Sequence, residues 1–446
     1  MTDPGRTVFH LLVADPARGV LVRDQGTGRL AVPRFDGPDP GDGLEPILVA
    51  VATILGSAVP VLRIASLALD PDRRATNVLV EAEVPPAPGL ADGCTWRPLD
   101  EVSPESLVPP EAAGAVGRWL AEQRSGSPDA RRPGWARPGF FARASAWMVD
   151  RLAADGTPAV APPRLHSLWC LSAMVLAETA RGAAYLKACA PAFRDEPAIT
   201  AAVDRVTPGL APSVVAVDDV EGWLLMRDAG GTALGGLPPE RWADGLDVLG
   251  QIQRAWPVSD RAIALEDRGP ERLAASIPGL VEHPLLDRLP DVTRDRLRRA
   301  VPRLLDACEQ LARLGPPPTI VHGDFHPWNV QASGDRLTII DWSDGFFGHP
   351  FLDLVTYLGR TREVPARRVM LARYLDGWSA HARRAVLEDA AMLALPLGAM
   401  HQVESYRRIL ESLGPDDRLD LDGAAASYGS RALAWLEAGL DAETGS

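Results

Sequence analysis

Lysine is almost missing from this chain of 446 residues. Of its 46 basic residues only one is lysine, Lys187, and the others are arginines. An ammonium group is a compact point charge, whereas a guanidinium is a planar fork. A lysine retained in such a background is therefore a candidate for a role that arginine does not fill. Chance survival of one surface lysine is the competing interpretation.

Cysteine and long apolar runs are also scarce. Four cysteines stand far apart, without a C-x-x-C pair or the spacing of a zinc site, so we expect reduced thiols. The absence of an uninterrupted apolar run of about 20 residues predicts that no segment spans a membrane. Residues 1–6 lack the basic and apolar regions of a secretory signal. We therefore expect a cytoplasmic protein.

Positive charge is in deficit. The chain has 46 Lys and Arg against 59 Asp and Glu, which gives a net charge of −13. Nucleic acids and anionic membranes attract basic surfaces, so neither is an expected partner. With 46% hydrophobic and 24% charged residues, the composition is that of an ordinary globular protein. Its length exceeds a typical domain of about 100–150 residues, so we expect more than one domain.

A polar segment rich in proline and glycine at 124–134 breaks the hydrophobic periodicity and predicts a linker. We predict an α+β domain at 1–124, a linker at 125–138, and a larger domain at 139–446. The larger domain divides into a small lobe, 139–232, and a large lobe, 233–446. Hairpins are predicted at 171–189 and 214–226. Helical periodicity dominates from Pro238 onward, except at 319–343.

The segment 319–344 carries the most informative polar residues. His322, Asp324 and Asn329 lie on a loop between two short β runs, and Asp341 follows the next strand. This H-x-D-x-x-x-x-N spacing, followed by an aspartate, is typical of kinase-type phosphoryl transfer. Asp324 can accept the proton of an attacking hydroxyl, while Asn329 and Asp341 supply the hard oxygen ligands that Mg²⁺ prefers. Loop Asp and Asn otherwise serve as turn formers and caps.

Residues 322–329, HGDFHPWN, and 340–354, IDWSDGFFGHPFLDL, resemble the aminoglycoside phosphotransferase and choline kinase-like family. The family patterns are HGDxHxxN and IDWxxxxxGxPxxDL, and the resemblance covers residues 139–446. It implies a bilobal protein-kinase-like fold, with a small β-rich lobe and a large helical lobe, and phosphorylation of a small-molecule hydroxyl with ATP or GTP. It also implies that Asp324 is the catalytic base, that Asn329 and Asp341 bind Mg²⁺, and that Asp353 braces the catalytic loop.

The same resemblance requires a lysine on the small lobe. Lys187 lies near the end of a predicted strand, where it would bind the α- and β-phosphates. Glu196 is the candidate for orienting it, although Pro197 places that glutamate at a helix start. Asp204 is the alternative. The resemblance therefore favours a functional role for Lys187 over its chance survival.

The hinge of such a fold is expected at 226–228, where backbone groups would bond the nucleotide base. Met226 and Asp228 are the cofactor-binding candidates there, and core packing is the alternative role for Met226. No GxGxxG phosphate loop precedes Leu171, and residues 162–169 stand in its place.

The predicted function is nucleotide- and Mg²⁺-dependent phosphorylation of a small-molecule hydroxyl on an aminoglycoside, sugar or amino alcohol. The alternative is a catalytically inactive, nucleotide-binding pseudokinase that acts as a sensor or assembly module. His401, Gln402, Glu404 and Tyr406 are either acceptor-binding residues or a solvated helix face.

Residues 7–102 resemble a Nudix domain in layout. Nudix hydrolysis needs the helix motif RExxEE, whose carboxylates bind Mg²⁺. The corresponding residues 50–55 read AVATIL and contain no carboxylate. Apolar side chains cannot bind a hard cation. We therefore expect this domain to serve as a scaffold or to hold a ligand without cleaving it.

Overall fold

The computed structural model describes residues 6–26, 29–37, 43–69, 75–85, 89–256, 263–418 and 421–443. The chain divides into two compact units. Residues 1–191 and 412–420 form the first, and residues 192–411 and 421–446 form the second. Strands dominate the first unit and helices the second, which confirms the predicted α+β class with a β-rich part and a helical part.

The first unit begins with eight strands: β1 (Arg6–Leu12), β2 (Ala14–Asp15), β3 (Gly19–Asp24), β4 (Leu30–Ala31), β5 (Arg34–Gly37), β6 (Val61–Leu69), β7 (Ala75–Ala82) and β8 (Cys94–Arg97). One sheet has the order β5-β1-β7-β6, with β1 and β7 parallel and the outer pairs antiparallel. In a second sheet, β3 pairs with β2, β4 and β8. Whether this arrangement is a Nudix domain stays a prediction.

Four helices belong to the same unit: α1 (Glu45–Leu55), α2 (Pro104–Leu107), α3 (Pro110–Ser125) and α4 (Phe140–Ala154). Helix α1 buries Ile47, Val51, Ile54 and Leu55. It carries one acidic residue, Glu45, in its first turn. Proline near the start of α1, α2 and α3 suits positions whose backbone N–H has no partner within the helix.

The predicted linker 125–138 lies within the first unit as a packed segment. Its Arg132 is buried and pairs with Glu81 and, at 2.9 Å, with Glu122. Arg63 joins this cluster, 2.8 Å from Glu81 and 2.9 Å from Asp417. Burial alone would raise the pKa of Glu81, but Arg63 and Arg132 hold it below its usual value. The composition of the segment predicts a linker, and it does not show the partners of the buried Arg132.

Three further strands complete the first unit: β9 (Arg164–Leu168), β10 (Ser172–Thr179) and β11 (Gly182–Cys189). They form antiparallel pairs, β10 with both neighbours, and the predicted hairpin at 171–189 is confirmed. Lys187 lies on β11 opposite Met174 and is buried.

The second unit contains α5 (Glu196–Val206), β12 (Val214–Asp218), β13 (Trp223–Arg227), β14 (Thr232–Ala233), α6 (Trp242–Ala255), α7 (Pro270–Glu282), α8 (Asp291–Leu311), β15 (Thr319–Val321), β16 (Val330–Ser333), β17 (Arg336–Ile339), β18 (Phe346–Gly348), α9 (Leu354–Leu358), α10 (Val364–Asp376), α11 (Arg384–Ser412) and α12 (Leu421–Ala438). Strands β12 and β13 form the second predicted hairpin. Strand β16 pairs with β14 and β17, and β15 pairs with β18.

Buried aromatic rings fill the core beneath the short strands of the second unit. Phe325, Trp342, Phe346, Phe351 and Tyr357 are among its fully buried side chains. Phe325 stacks on Tyr357 with ring centroids 4.7 Å apart. Such packing fixes the loops that leave these strands. Within the described ranges, every helix is too short or too polar to cross a membrane.

Candidate active site

The polar loop of the second unit begins after the fully buried strand β15 and ends in a 3-10 turn at Pro327–Asn329. Proline suits the first position of that turn because its nitrogen has no hydrogen to satisfy. The β16–β17 hairpin then returns the chain, and the Ile340 N–H donates to the Asn329 carbonyl at 2.9 Å. The hairpin thereby brings Asn329 and Asp341 to the same end of the strand pair.

Asn329 and Asp324 are joined directly. The Asn329 side-chain Nδ2 donates to the backbone carbonyl of Asp324 at 3.0 Å. An amide that donates through nitrogen keeps its Oδ1 as an acceptor for another group. Asp341 has φ of 62° and is the one residue other than glycine with positive φ in the described ranges. Aspartate tolerates this region better than most residues, and such conformations cluster at functional sites.

Asp353 holds the start of the loop, as the sequence predicts. Its Oδ2 accepts from the His322 N–H at 3.0 Å, and its Oδ1 from the Gly323 N–H at 2.9 Å. The Gln253 side chain donates to Oδ2 at 3.1 Å. Burial raises the pKa of Asp353 to about 7, against the opposing effect of the two backbone hydrogen bonds.

Gly323 allows the loop to press against the segment that follows Asp341. Its φ is +88°, and a Cβ at this position would lie 2.2 Å from the Asp344 carbonyl oxygen. The Gln402 amide donates to the Gly323 carbonyl. Asp344 in turn accepts from Arg268 at 2.7 Å and from the Ser405 hydroxyl. The loop is therefore held by α11 as well as by its own neighbours.

His322 ties the loop to the strand that leads to Asp341. Its Nε2 lies 3.0 Å from the Ile340 carbonyl oxygen, which can only accept, so Nε2 carries the hydrogen. The ring is buried and lies 4.8 Å from the Trp342 ring. Burial lowers the pKa of His322 and favours the neutral ring. His322 thus serves as a structural residue of the loop.

Asp324 has the electrostatics of a proton acceptor. Desolvation by the surrounding protein raises its pKa to about 6, and Asp341 and Asp344 act in the same direction. The neighbouring His322 and Arg360 oppose this shift. The side chain nevertheless keeps 45% of its surface exposed, so its carboxylate remains open to a substrate. A carboxylate whose pKa approaches neutrality is a better base than an ordinary one.

His326 stands beside Asp324 without forming an ion pair with it. Its Nε2 lies 3.7 Å from Asp324 Oδ2. Burial and then the charge of Arg360 lower the pKa of His326 to about 4, so the ring is neutral at physiological pH. Asp324 therefore keeps its own negative charge uncompensated by this neighbour.

The residues predicted to bind the nucleotide phosphates fall on different elements. Lys187 is buried on β11 of the first unit. Glu196 is the first residue of α5 in the second unit and is 1% exposed, which confirms its predicted place at the helix start. The alternative, Asp204, accepts a hydrogen bond from the Val214 N–H at 3.0 Å. The Asp204 carboxylate therefore binds the backbone at the start of β12.

The predicted hinge residues lie at the end of β13. Met226 is half-buried and pairs with Val214 across the hairpin. Asp228 is exposed, and its Oδ1 accepts from the Gly230 N–H at 2.9 Å within a turn. A nucleotide-binding role for these two residues stays a prediction.

The polar residues of α11 form no solvated face. His401 and Gln402 are buried, and His401 stacks on Phe346 at 4.2 Å. Glu404 pairs with Arg407 at 2.7 Å. Tyr406 stacks on Tyr428 of α12 at 6.0 Å. Gln402 thus supports the catalytic loop, and Tyr406 belongs to an aromatic pair.

Several residues of the site escape sequence reasoning. Gln253, Arg268 and Ser405 hold Asp353 or Asp344 from distant parts of the chain. Nothing in their local sequence marks them, because their role depends on tertiary packing. Asp344 lies in the segment 340–354, whose pattern resembles the kinase-like family. Its position three residues after the metal candidate Asp341 could have marked it as a residue of the site.

Comparison with known families identifies the part of the chain that holds this site. Residues 171–388, just under half of the chain, match the phosphotransferase enzyme family. This part of the chain is similar to that family. The match includes the catalytic-loop candidate Asp324 and the metal candidates Asn329 and Asp341. A search of curated proteins finds no match.

Solved structures with a similar course of the chain include phosphotransferases. A choline/ethanolamine kinase family protein from Mesorhizobium loti covers 68% of this chain and 95% of its own, at 18% identity and a TM-score of 0.49. A macrolide 2'-phosphotransferase type I covers 65% and 97%, at 18% identity and 0.45. Spectinomycin phosphotransferase APH(9)-Ia, solved with ADP and spectinomycin, covers 66% and 98%, at 13% identity and 0.44.

Proposed function

We propose that this protein transfers the γ-phosphoryl group of a nucleoside triphosphate, bound with Mg²⁺, to a hydroxyl of a small molecule. The observation that carries the proposal is the joined placement of Asp324, Asn329 and Asp341 at one end of the β16–β17 hairpin. An exposed carboxylate with a raised pKa lies next to an amide and a second carboxylate. That set combines a proton acceptor with two hard oxygen donors.

The donor set suits magnesium. The described residues contain no cluster of three or more His, Cys, Asp or Glu that would form a complete protein cage. Magnesium in phosphoryl-transfer enzymes is bound by one or two protein oxygens, with phosphate and water completing its shell. Asn329 Oδ1 and the Asp341 carboxylate would provide these two oxygens. The ion would neutralise phosphate charge as the transferred group moves.

The transfer itself needs one proton acceptor from the chain. The acceptor oxygen bonds to the γ-phosphorus, the bond from that phosphorus to the β-bridging oxygen breaks, and the nucleoside diphosphate leaves with the electron pair. The hydroxyl proton passes to the Asp324 carboxylate. Asp353, Gly323 and Gln402 keep the loop in place during this step through their hydrogen bonds.

For Lys187 we propose contact with the nucleotide phosphates, and for Glu196 the orientation of that lysine. Two features support the proposal: lysine is retained here against 45 arginines elsewhere, and the residue is buried on a β-strand.

The test is a nucleotide-consumption screen with the intact chain. ATP and GTP are offered with Mg²⁺ and a library of hydroxylated amines, sugars, hydroxy acids, sugar phosphates and nucleosides. Diphosphate release that depends on both an acceptor and Asp324 supports the proposal. Tight nucleotide binding with no acceptor-dependent release in any well would contradict it and favour the inactive pseudokinase alternative.

A further inference from the structure

An arginine, Arg360, lies beside the catalytic loop. Arg360 follows helix α9, is exposed, and places its Cζ 5.8 Å from the centre of the Trp328 ring. Its guanidinium forms no salt bridge with any residue in the described ranges. Its charge acts on Asp324 and on His326. A cation so close to the proposed base, and left uncompensated, is positioned to meet a substrate.

Trp328 gives this arginine a fixed platform. The ring packs edge-on against Trp242 at 5.8 Å. Gly235 lies so close that a Cβ there would approach the Trp328 ring to 2.4 Å. The tryptophan still keeps 45% of its surface exposed. A ring that is held from behind gives the Arg360 guanidinium a defined place beside the loop.

Two tyrosines extend the aromatic surface near Asp324. Tyr406 of α11 and Tyr428 of α12 stack with centroids 6.0 Å apart. The charges of Asp324 and Arg360 act on both phenols. A second guanidinium, that of Arg431, lies 4.9 Å from the centre of the Tyr428 ring. Two of the three rings near the base therefore already face an arginine of the protein itself.

This arrangement is the opposite of what a cationic substrate requires. Sites for ammonium groups present free aromatic faces or unpaired carboxylates. Here Trp328 and Tyr428 face guanidinium groups. The nearby carboxylate of Asp344 is occupied by Arg268 and Ser405. Asp324 and Asp341 are committed to the proposed proton transfer and metal. A cationic acceptor would meet the like charge of Arg360 beside Asp324.

We propose that the hydroxyl acceptor carries a carboxylate or phosphate group, which Arg360 binds. This inference deepens the proposed function and rests on it. A guanidinium suits either anion because its planar fork forms paired hydrogen bonds to two oxygens. The aminoglycoside and amino alcohol classes expected from the sequence are disfavoured by the same charge.

The test sorts the acceptors of the screen by charge within one skeleton. Glucosamine, glucose, glucuronate and glucose 6-phosphate form such a set, and hydroxy acids, nucleosides, nucleoside monophosphates, aminoglycosides and amino alcohols extend it. Wild type, Arg360→Gln and the matched control Arg368→Gln are compared. Arg368 is exposed and pairs with Asp441. All assays run at pH 8, where Asp324, whose pKa is about 6, is ionised with or without Arg360.

We expect the anionic acceptors to be preferred. Arg360→Gln should lower kcat/KM for them by about 10–100-fold, mainly through KM, as expected for one lost charge-assisted contact. Neutral acceptors should change less than about twofold, and Arg368→Gln should match wild type. Preferred turnover of cationic acceptors, or unchanged kcat/KM for anionic ones in Arg360→Gln, would overturn this inference and leave the proposed function intact. Absence of Asp324-dependent transfer to any acceptor would contradict both.

Discussion

Replacing Asp324 by asparagine removes the proposed base and little else. The Asn329 side chain donates to the backbone carbonyl of Asp324, and the Asp353 carboxylate accepts from the N–H groups of His322 and Gly323. None of them involves the Asp324 carboxylate. An amide of the same shape should therefore leave the loop and the metal donors in place while abolishing proton acceptance.

The expected loss is about 10²–10⁴-fold in kcat, the usual contribution of a positioned general base. The KM for the nucleotide should change little. The pH dependence of wild-type turnover provides a second quantitative test of this role. With a pKa of about 6, Asp324 is about 90% ionised at pH 7 and about 10% at pH 5. Because the base works as the carboxylate, turnover should fall about tenfold as the pH drops over that interval.

The assay follows diphosphate release from pH 5 to pH 8 for wild type, Asp324→Asn and a matched control, Asp335→Asn. Asp335 lies in the exposed turn between β16 and β17, in the same segment of chain. The control should behave as wild type. Asp353, whose pKa is also raised, to about 7, remains in all three proteins, so the difference between profiles reports on Asp324. Wild-type turnover in Asp324→Asn would remove this residue from the mechanism.

Four further predictions concern the metal, the lysine, the ion cluster and the N-terminal domain. Asp341→Ala should abolish productive Mg²⁺ dependence, which a metal titration of turnover will show, and normal Mg²⁺ activation would contradict its role. Lys187→Arg should lower kcat/KM for the nucleotide, because a planar fork does not replace an ammonium; retained activity would return Lys187 to chance survival. Arg63→Ala leaves buried Glu81 with one partner fewer and should lower the free energy of unfolding by about 3–5 kcal/mol in urea denaturation, whereas the exposed Arg131→Ala should cost less than about 1 kcal/mol. The intact chain should not hydrolyse nucleoside diphosphate derivatives with Mg²⁺ or Mn²⁺, since α1 offers Glu45 as its one carboxylate, and metal-dependent hydrolysis above a buffer control would refute this.

The sequence predicts those parts of the site that depend on local spacing. Asp324, Asn329 and Asp341 are joined by one loop and one hairpin, so a short pattern suffices to bring them together. The two predicted hairpins follow for the same reason, because apolar runs separated by a glycine turn pair with each other.

The contacts that support the site depend on tertiary packing. Gln402 reaches Gly323 from a helix that begins at residue 384, and Arg268 reaches Asp344 across 76 residues. From the sequence, the polar residues at 401–406 are equally consistent with an acceptor site and with a solvated helix face. Their burial depends on how α11 packs. The burial of Arg132 within the predicted linker 125–138 has the same cause, because composition does not show a buried partner such as Glu81.

The central claim is that this chain moves a phosphoryl group to an acceptor hydroxyl with Asp324 as the base. The most direct measurement incubates the intact protein with ATP or GTP labelled with ¹⁸O in the γ-phosphate, Mg²⁺ and the pooled acceptors, and then identifies phosphorylated products by mass spectrometry. The account predicts a labelled phosphoryl ester in the wild-type reaction and its near-complete loss in Asp324→Asn. A wild-type protein that binds the nucleotide but labels no acceptor, or an Asp324→Asn protein that labels it equally well, would contradict the account.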